Sequence, residues 1–138
     1  MGVEAIILLG PQDAPPMDLL KQLGGLNLTI SATTPAPAQF APHIQWLAGC
    51  AGRGRQLNRA IEATHGDWLW IIHADSQIED QAPLAIEHFT RTAKWLTMGY
   101  GQLKFAEDGP WLKRLNAWAA NLRSKLWGHP YGDQALCI

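Results

Sequence analysis

The run Trp68-Leu69-Trp70-Ile71-Ile72 is apolar at every position and gives way at once to His73-Ala74-Asp75-Ser76. A strand with one wet face alternates apolar with polar residues. An uninterrupted apolar run of strand length must instead be covered on both faces, as strands are inside a parallel sheet with helices above and below. Val3 to Leu9 is a second run of this kind, broken only by Glu4 and ended by Gly10-Pro11. Two buried strands of this kind in one short chain predict an α/β domain rather than an all-β or all-α one.

The signals between these runs fit that class. Pro15-Pro16 followed by Met17, Leu20 and Leu23, with Gly24-Gly25 as a stop, predicts a helix after the first strand. Leu26 to Ile30 alternates apolar with polar and predicts a second strand. Pro35, Pro37 and Pro42 then argue against a regular crossover helix before a short third strand at Ile44 to Leu47. Gly52-Arg53-Gly54-Arg55 is read as a glycine-rich basic turn that leads into a helix with Leu57, Ala60, Ile61 and Thr64 on one face and Gly66 at its end. Downstream, a helix is predicted over Ala82 to Ala93, a glycine-broken strand over Trp95 to Phe105, a long helix from Trp111 to about Trp127, and an extended segment from Tyr131 to Ile138. The expected architecture is a three-layer sandwich around a mostly parallel sheet. With 138 residues, the expectation is one domain, 1–138.

Composition removes several function classes. Eleven basic against 12 acidic residues leave a net charge of -1, so there is no global field for nucleic acid, and any electrostatic function is local. Cys50 and Cys137 lack the spacing of a zinc site or a disulfide framework and fit a reducing compartment. No basic signal sequence and no apolar stretch of membrane-spanning length stands out, so a soluble cytoplasmic protein is expected. Nucleophile elbows, Ser-His-Asp order and Walker-type loops are missing from the sequence.

Chemistry concentrates at two places. In open α/β sheets, ligands bind beyond the carboxyl ends of the strands, where His73-Ala74-Asp75 falls. Alternation along an extended segment puts His73 and Asp75 on one side, where they could converge on a divalent ion bridging a diphosphate; Mg²⁺ or Mn²⁺ suits imidazole, carboxylate and phosphate oxygens. An isolated His-x-Asp is also read as a turn capped by its aspartate. Gly52 to Asn58 combines close backbone approach, two guanidiniums and helix amides that favour anions. Alone, that segment is as well read as a solvated basic turn.

Together the segments are more specific. Gly52-Arg53-Gly54-Arg55-Gln56-Leu57-Asn58-Arg59-Ala60, then Gly66 to Ser76, then Asn121 to Gly128 with Pro130-Tyr131-Gly132-Asp133-Gln134-Ala135, resemble family 2 glycosyltransferases over about residues 52 to 138. The resemblance implies a nucleotide-diphospho-sugar transferase fold of the GT-A type, with 1–138 as its donor-binding half. It implies that Asp75 holds a metal on the donor diphosphate, with His73 in place of the family's first acid. Arg53, Arg55 and Asn58 match the basic turn and helix start near the nucleotide, while Asp133 and Gln134 match a segment bordering donor sugar and acceptor, Asp133 being the candidate for catalysis. Family members carry an aspartate for the base after the second strand, where this chain has Ser31-Ala32-Thr33-Thr34-Pro35. The family's Glu-Asp base motif would follow Ile138, so the fold is expected to be incomplete at its carboxyl end. The implied partners are a nucleotide-sugar donor and an acceptor. The alternative is a non-catalytic transferase-like fold acting as a nucleotide-binding or protein-interaction module, with self-association through an uncovered apolar face.

The last predicted helix bears on that alternative. Trp111, Leu115, Trp118 and Leu122 follow the spacing of an ordinary buried face, and core or lid packing is expected for them. Lys113, Arg114, Arg123 and Lys125, with no acid among them, make peripheral membrane contact the second reading. Asp13, Asp67, Asp80 and Asp108 stand where elements begin and are expected to cap them.

Overall fold

A computed structural model describes residues 2–38, 40–94, 97–102, 111–127 and 135–138. The elements are β1 (Val3–Leu8), α1 (Met17–Gln22), β2 (Asn27–Ala32), β3 (Ile44–Ala48), α2 (Arg53–Ala63), β4 (Trp68–His73), α3 (Ala82–Thr92), α4 (Trp111–Trp127) and β5 (Leu136–Cys137). They build one five-stranded sheet in the order β3-β2-β1-β4-β5. The first four strands are parallel, and β5 runs antiparallel to β4. The α/β class with a mostly parallel sheet is therefore as the sequence predicts.

The order follows from handedness. From β1 through α1 to β2 the chain moves one way along the sheet; from β3 through α2 to β4 it moves back past β2 and β1. Right-handed crossovers in opposite directions place their helices on opposite faces. Accordingly Ala5, Ile7, Leu28, Ile30, Trp70 and Ile72 pack with Leu19 and Leu20 of α1, with Leu23 just after it, and with Ile86 and Phe89 of α3. Ile6 and Ile71 pack instead with Leu57 and Ala60 of α2. This two-sided burial is what the apolar runs of β1 and β4 require. Phe89 meets Trp68 edge-on at 5.5 Å, fixing α3 against β4. Among its described residues the proline-rich connection from β2 to β3 has no helix, and Phe40 closes it by packing at 5.0 Å on Trp46.

Glu4 interrupts the apolar run of β1 for a local reason. Its buried carboxylate accepts a hydrogen bond from the Thr29 hydroxyl (2.7 Å) and another from the His65 backbone amide (3.2 Å), joining β1 to β2 and to the segment entering β4. A buried charge is tolerated only with such partners.

Several expectations are corrected. Arg53, Gly54 and Arg55 are the first turn of α2, not a turn before it, because the helix starts at Gly52, whose φ of 125° is open to glycine and strained for other residues. Asp13 does not cap α1. Its carboxylate accepts the Gly10 amide at 2.6 Å and closes the turn leaving β1, while α1 has no side-chain cap. Asp80 does not cap α3 either but accepts a hydrogen bond from the Gln22 amide at 3.4 Å. Asp67 accepts the Gly2 amide at 3.0 Å, and Asp108 lies outside the described residues. Of the strand expected over Trp95 to Phe105, the described part contributes a single bridge, Gly99 to Cys137.

The largest correction concerns α4. The residues expected to be buried are exposed, Trp111 at 70% and Trp118 at 61%, while Ala117, Ala120 and Ser124 form the buried stripe. Small side chains let a helix backbone approach its neighbour closely, and the Ser124 hydroxyl is satisfied by donating to the Ala120 carbonyl at 2.9 Å. Among the described residues, no helix is long and apolar enough to cross a membrane.

Cys137 is fully buried beside Trp70, and burial pushes its thiol up from 9.0 to about 11. The folded protein thus retains a proton that the unfolded chain loses first. Its stabilising effect is complete below pH 9 and is lost as pH rises towards 11. A denaturation series should show this alkaline decline in the wild type and a smaller one in Cys137→Val, whereas equal declines would assign the effect to other groups.

Candidate functional site

The strand order turns a sequence motif into a place. Starting from β1, the chain runs to β2 and β3 on one side, while β4 lies on the other, so the direction of winding reverses between β1 and β4. A crevice opens at such a switch point because the loops leaving the two strands diverge to opposite faces. The loops here are Leu9-Gly10-Pro11 after β1 and Ala74-Asp75-Ser76 after β4, and Leu8 is in register with His73.

His73 is the last residue of β4 and is half-buried; Asp75 follows in a turn held by the Ser76 amide on the His73 carbonyl at 3.0 Å. The Asp75 carboxylate is exposed, and its Oδ1 is hydrogen-bonded to Nδ1 of His73. The two side chains therefore converge, but through the turn after β4 rather than through strand alternation, since β4 ends at His73. Nδ1 and the carboxylate face one another, so an ion held by both side chains would sit between them in place of the hydrogen bond.

The basic turn lies on the same side of the sheet. Directly opposed residues in paired strands share a face, so His73 stands on the face of Leu8, with Ile71 and Leu69 two and four residues earlier. Those side chains belong to the cluster packed against α2. The first turn of α2 is tied to the carboxyl edge by Gln56, which is 5% exposed and donates from Nε2 to the carbonyls of Leu9 (2.6 Å) and Ser31 (2.9 Å). Arg59 adds a hydrogen bond to the Ala32 carbonyl at 3.0 Å. Both residues stand inside the basic segment Gly52 to Ala60, where nothing local in the sequence marks either for a role. The glutamine marks the helix start only once its two carbonyl partners, 25 and 47 residues away, are known.

Arg53 and Arg55 are exposed in that first turn, which has no acidic residue, and neither has a hydrogen bond or ion pair among the described residues. Arg55 lies back over Gly52, its Cδ 3.8 Å from where a Cβ would stand. Asn58 is exposed on α2 one turn further along. β4 and β2 flank β1, so the histidine and the helix start are separated by about two interstrand steps, roughly 10 Å. The structure thus brings His73 and Asp75 together and sets Arg53 and Arg55 on their side of the sheet. Asp133 and Gln134 lie outside the described residues.

Among the described residues, no group of three or more His, Cys, Asp or Glu side chains is placed to hold a metal. A divalent ion here would have two protein ligands at most and would take its remaining oxygens from a bound diphosphate and water. Compared with known proteins, the chain matches no protein-family model and no curated protein.

Proposed function

We propose that this chain is the donor-binding part of a nucleotide-sugar glycosyltransferase with a nucleotide-diphospho-sugar transferase (GT-A) type fold. One observation carries the reading: the His73–Asp75 pair ends the strand at the topological switch point, on the same sheet face as the basic first turn of α2. A diphosphate needs both features, a divalent ion with a carboxylate or imidazole ligand and donors for its remaining charge.

In this reading Asp75 and Nδ1 of His73, which face one another, would hold Mg²⁺ or Mn²⁺ between them in place of their hydrogen bond, and the ion would neutralise charge on the departing nucleotide. Arg53, Arg55 and the free amides at the start of α2 bind the other phosphate oxygens, stabilising the negative charge that grows as the sugar leaves. Gln56 keeps that helix start at the strand ends. Asn58, on the next turn, and Gln134 complete the donor contacts that the family resemblance implies. Asp133 is the candidate to act on the acceptor hydroxyl as general base.

The test is calorimetric titration of UDP and GDP, with and without Mn²⁺, into wild type and Asp75→Ala. Nucleotide binding is expected to require Mn²⁺ and to weaken roughly 100-fold or more in the variant, since even outer partners of a metal carry about 10–100-fold. Mn²⁺ alone should bind weakly, because the protein offers it too few ligands. Absence of nucleotide binding under every condition would remove the donor site and leave a transferase-like fold acting through its surface.

A further inference from the structure

The surface of α4 is built the wrong way round for a helix that serves only the core. At 3.6 residues per turn, Trp111, Leu115, Trp118, Leu122 and Leu126 fall on one stripe, and all five are exposed. The side turned to the protein is the narrow one of Ala117, Ala120 and Ser124. Covering that stripe would remove two indoles and three leucines from water, yet the described structure leaves it open.

Charge indicates what covers it. The chain as a whole carries -1, but α4 has four basic residues, Lys113, Arg114, Arg123 and Lys125, and no acid, hence +4. Arg114 and Lys125 are exposed and border the apolar stripe on the Trp118 side, one and two turns from that ring. A second copy docking through the same stripe in a twofold dimer would bring Arg114 and Lys125 against the same two cations of the other copy. An anionic bilayer surface supplies the complementary charge, an apolar layer for the leucines, and an interface at which indoles settle. At 17 residues α4 is about 25 Å long, enough to lie in the membrane plane, and it is not apolar enough to span it.

We propose that α4 is an interfacial helix that docks this protein on anionic lipid surfaces, with the Trp111–Leu126 stripe in the headgroup–acyl boundary and Arg114 and Lys125 on the phosphates. This inference does not depend on the donor site.

Co-sedimentation of the full chain with phosphatidylcholine vesicles, with and without phosphatidylglycerol, tests it. Binding is expected only to the phosphatidylglycerol vesicles, and it should weaken as salt is raised. Arg114→Gln/Lys125→Gln should weaken binding roughly 30-fold, and Trp111→Ser/Trp118→Ser should abolish it with the charge intact. All four are exposed side chains, so folding is retained, and Asp75→Ala should bind vesicles as wild type does. Equal binding to both vesicle types, or binding to neither, overturns the proposal. So does concentration-dependent self-association that Trp111→Ser/Trp118→Ser removes, which would assign the stripe to a second copy.

Discussion

Trp70→Ala is expected to destabilise the protein by roughly 3–5 kcal/mol, a large part of the ~5–15 kcal/mol that holds a domain of this size. Trp70 lies in the middle of β4, is 2% exposed, and is paired with Ala5 on one side and Cys137 on the other. Its ring fills the layer under α1 and α3. Deleting it removes the indole's transfer free energy and leaves a cavity that paired strands cannot close by moving together. The ring also has a flaw: its Nε1 is buried without a hydrogen-bond partner among the described residues. Trp70→Phe removes that orphan donor while keeping most of the volume, so its cost should stay below about 1.5 kcal/mol. Urea denaturation of both variants checks the pair. Similar losses for Phe and Ala would mean that the indole N–H is satisfied in solution.

Gln56→Met should cost about 2–3 kcal/mol while conserving volume and apolar contact. The side chain is buried, and its amide serves two main-chain carbonyls on β1 and β2. Methionine would leave the Leu9 carbonyl without its donor in a dry place, and an unmet buried polar group costs more than a surface hydrogen bond contributes. A second readout separates this from a simple core defect. Gln56 is the anchor of the α2 start, so nucleotide affinity should fall in the variant under conditions where it remains fully folded. Unchanged affinity with reduced stability would show that Arg53 and Arg55 hold their positions without the glutamine.

The elements of this protein were legible in its sequence because their causes are local. Two-sided burial makes β4 apolar up to His73 and β1 apolar apart from Glu4, three prolines argue against a helix between β2 and β3, and polar residues follow directly on the end of β4. What could not be read locally depends on partners distant in the chain. The role of Gln56 requires Leu9 and Ser31, and Asp13 abandons its helix for the Gly10 amide. In α4, two stripes compete for burial, one of large apolar residues and one of Ala117, Ala120 and Ser124. Helical periodicity identifies both without saying which one the rest of the molecule can approach. By itself, then, the sequence determined which segments from β1 to α3 are strands and helices, that α4 is a helix, and where polar groups stand at strand ends. Only the tertiary structure decided that β4 lies beside β1 at the point where the winding reverses and that α4 turns its tryptophans outward, because both depend on the packing of whole elements rather than on a pattern within any one of them.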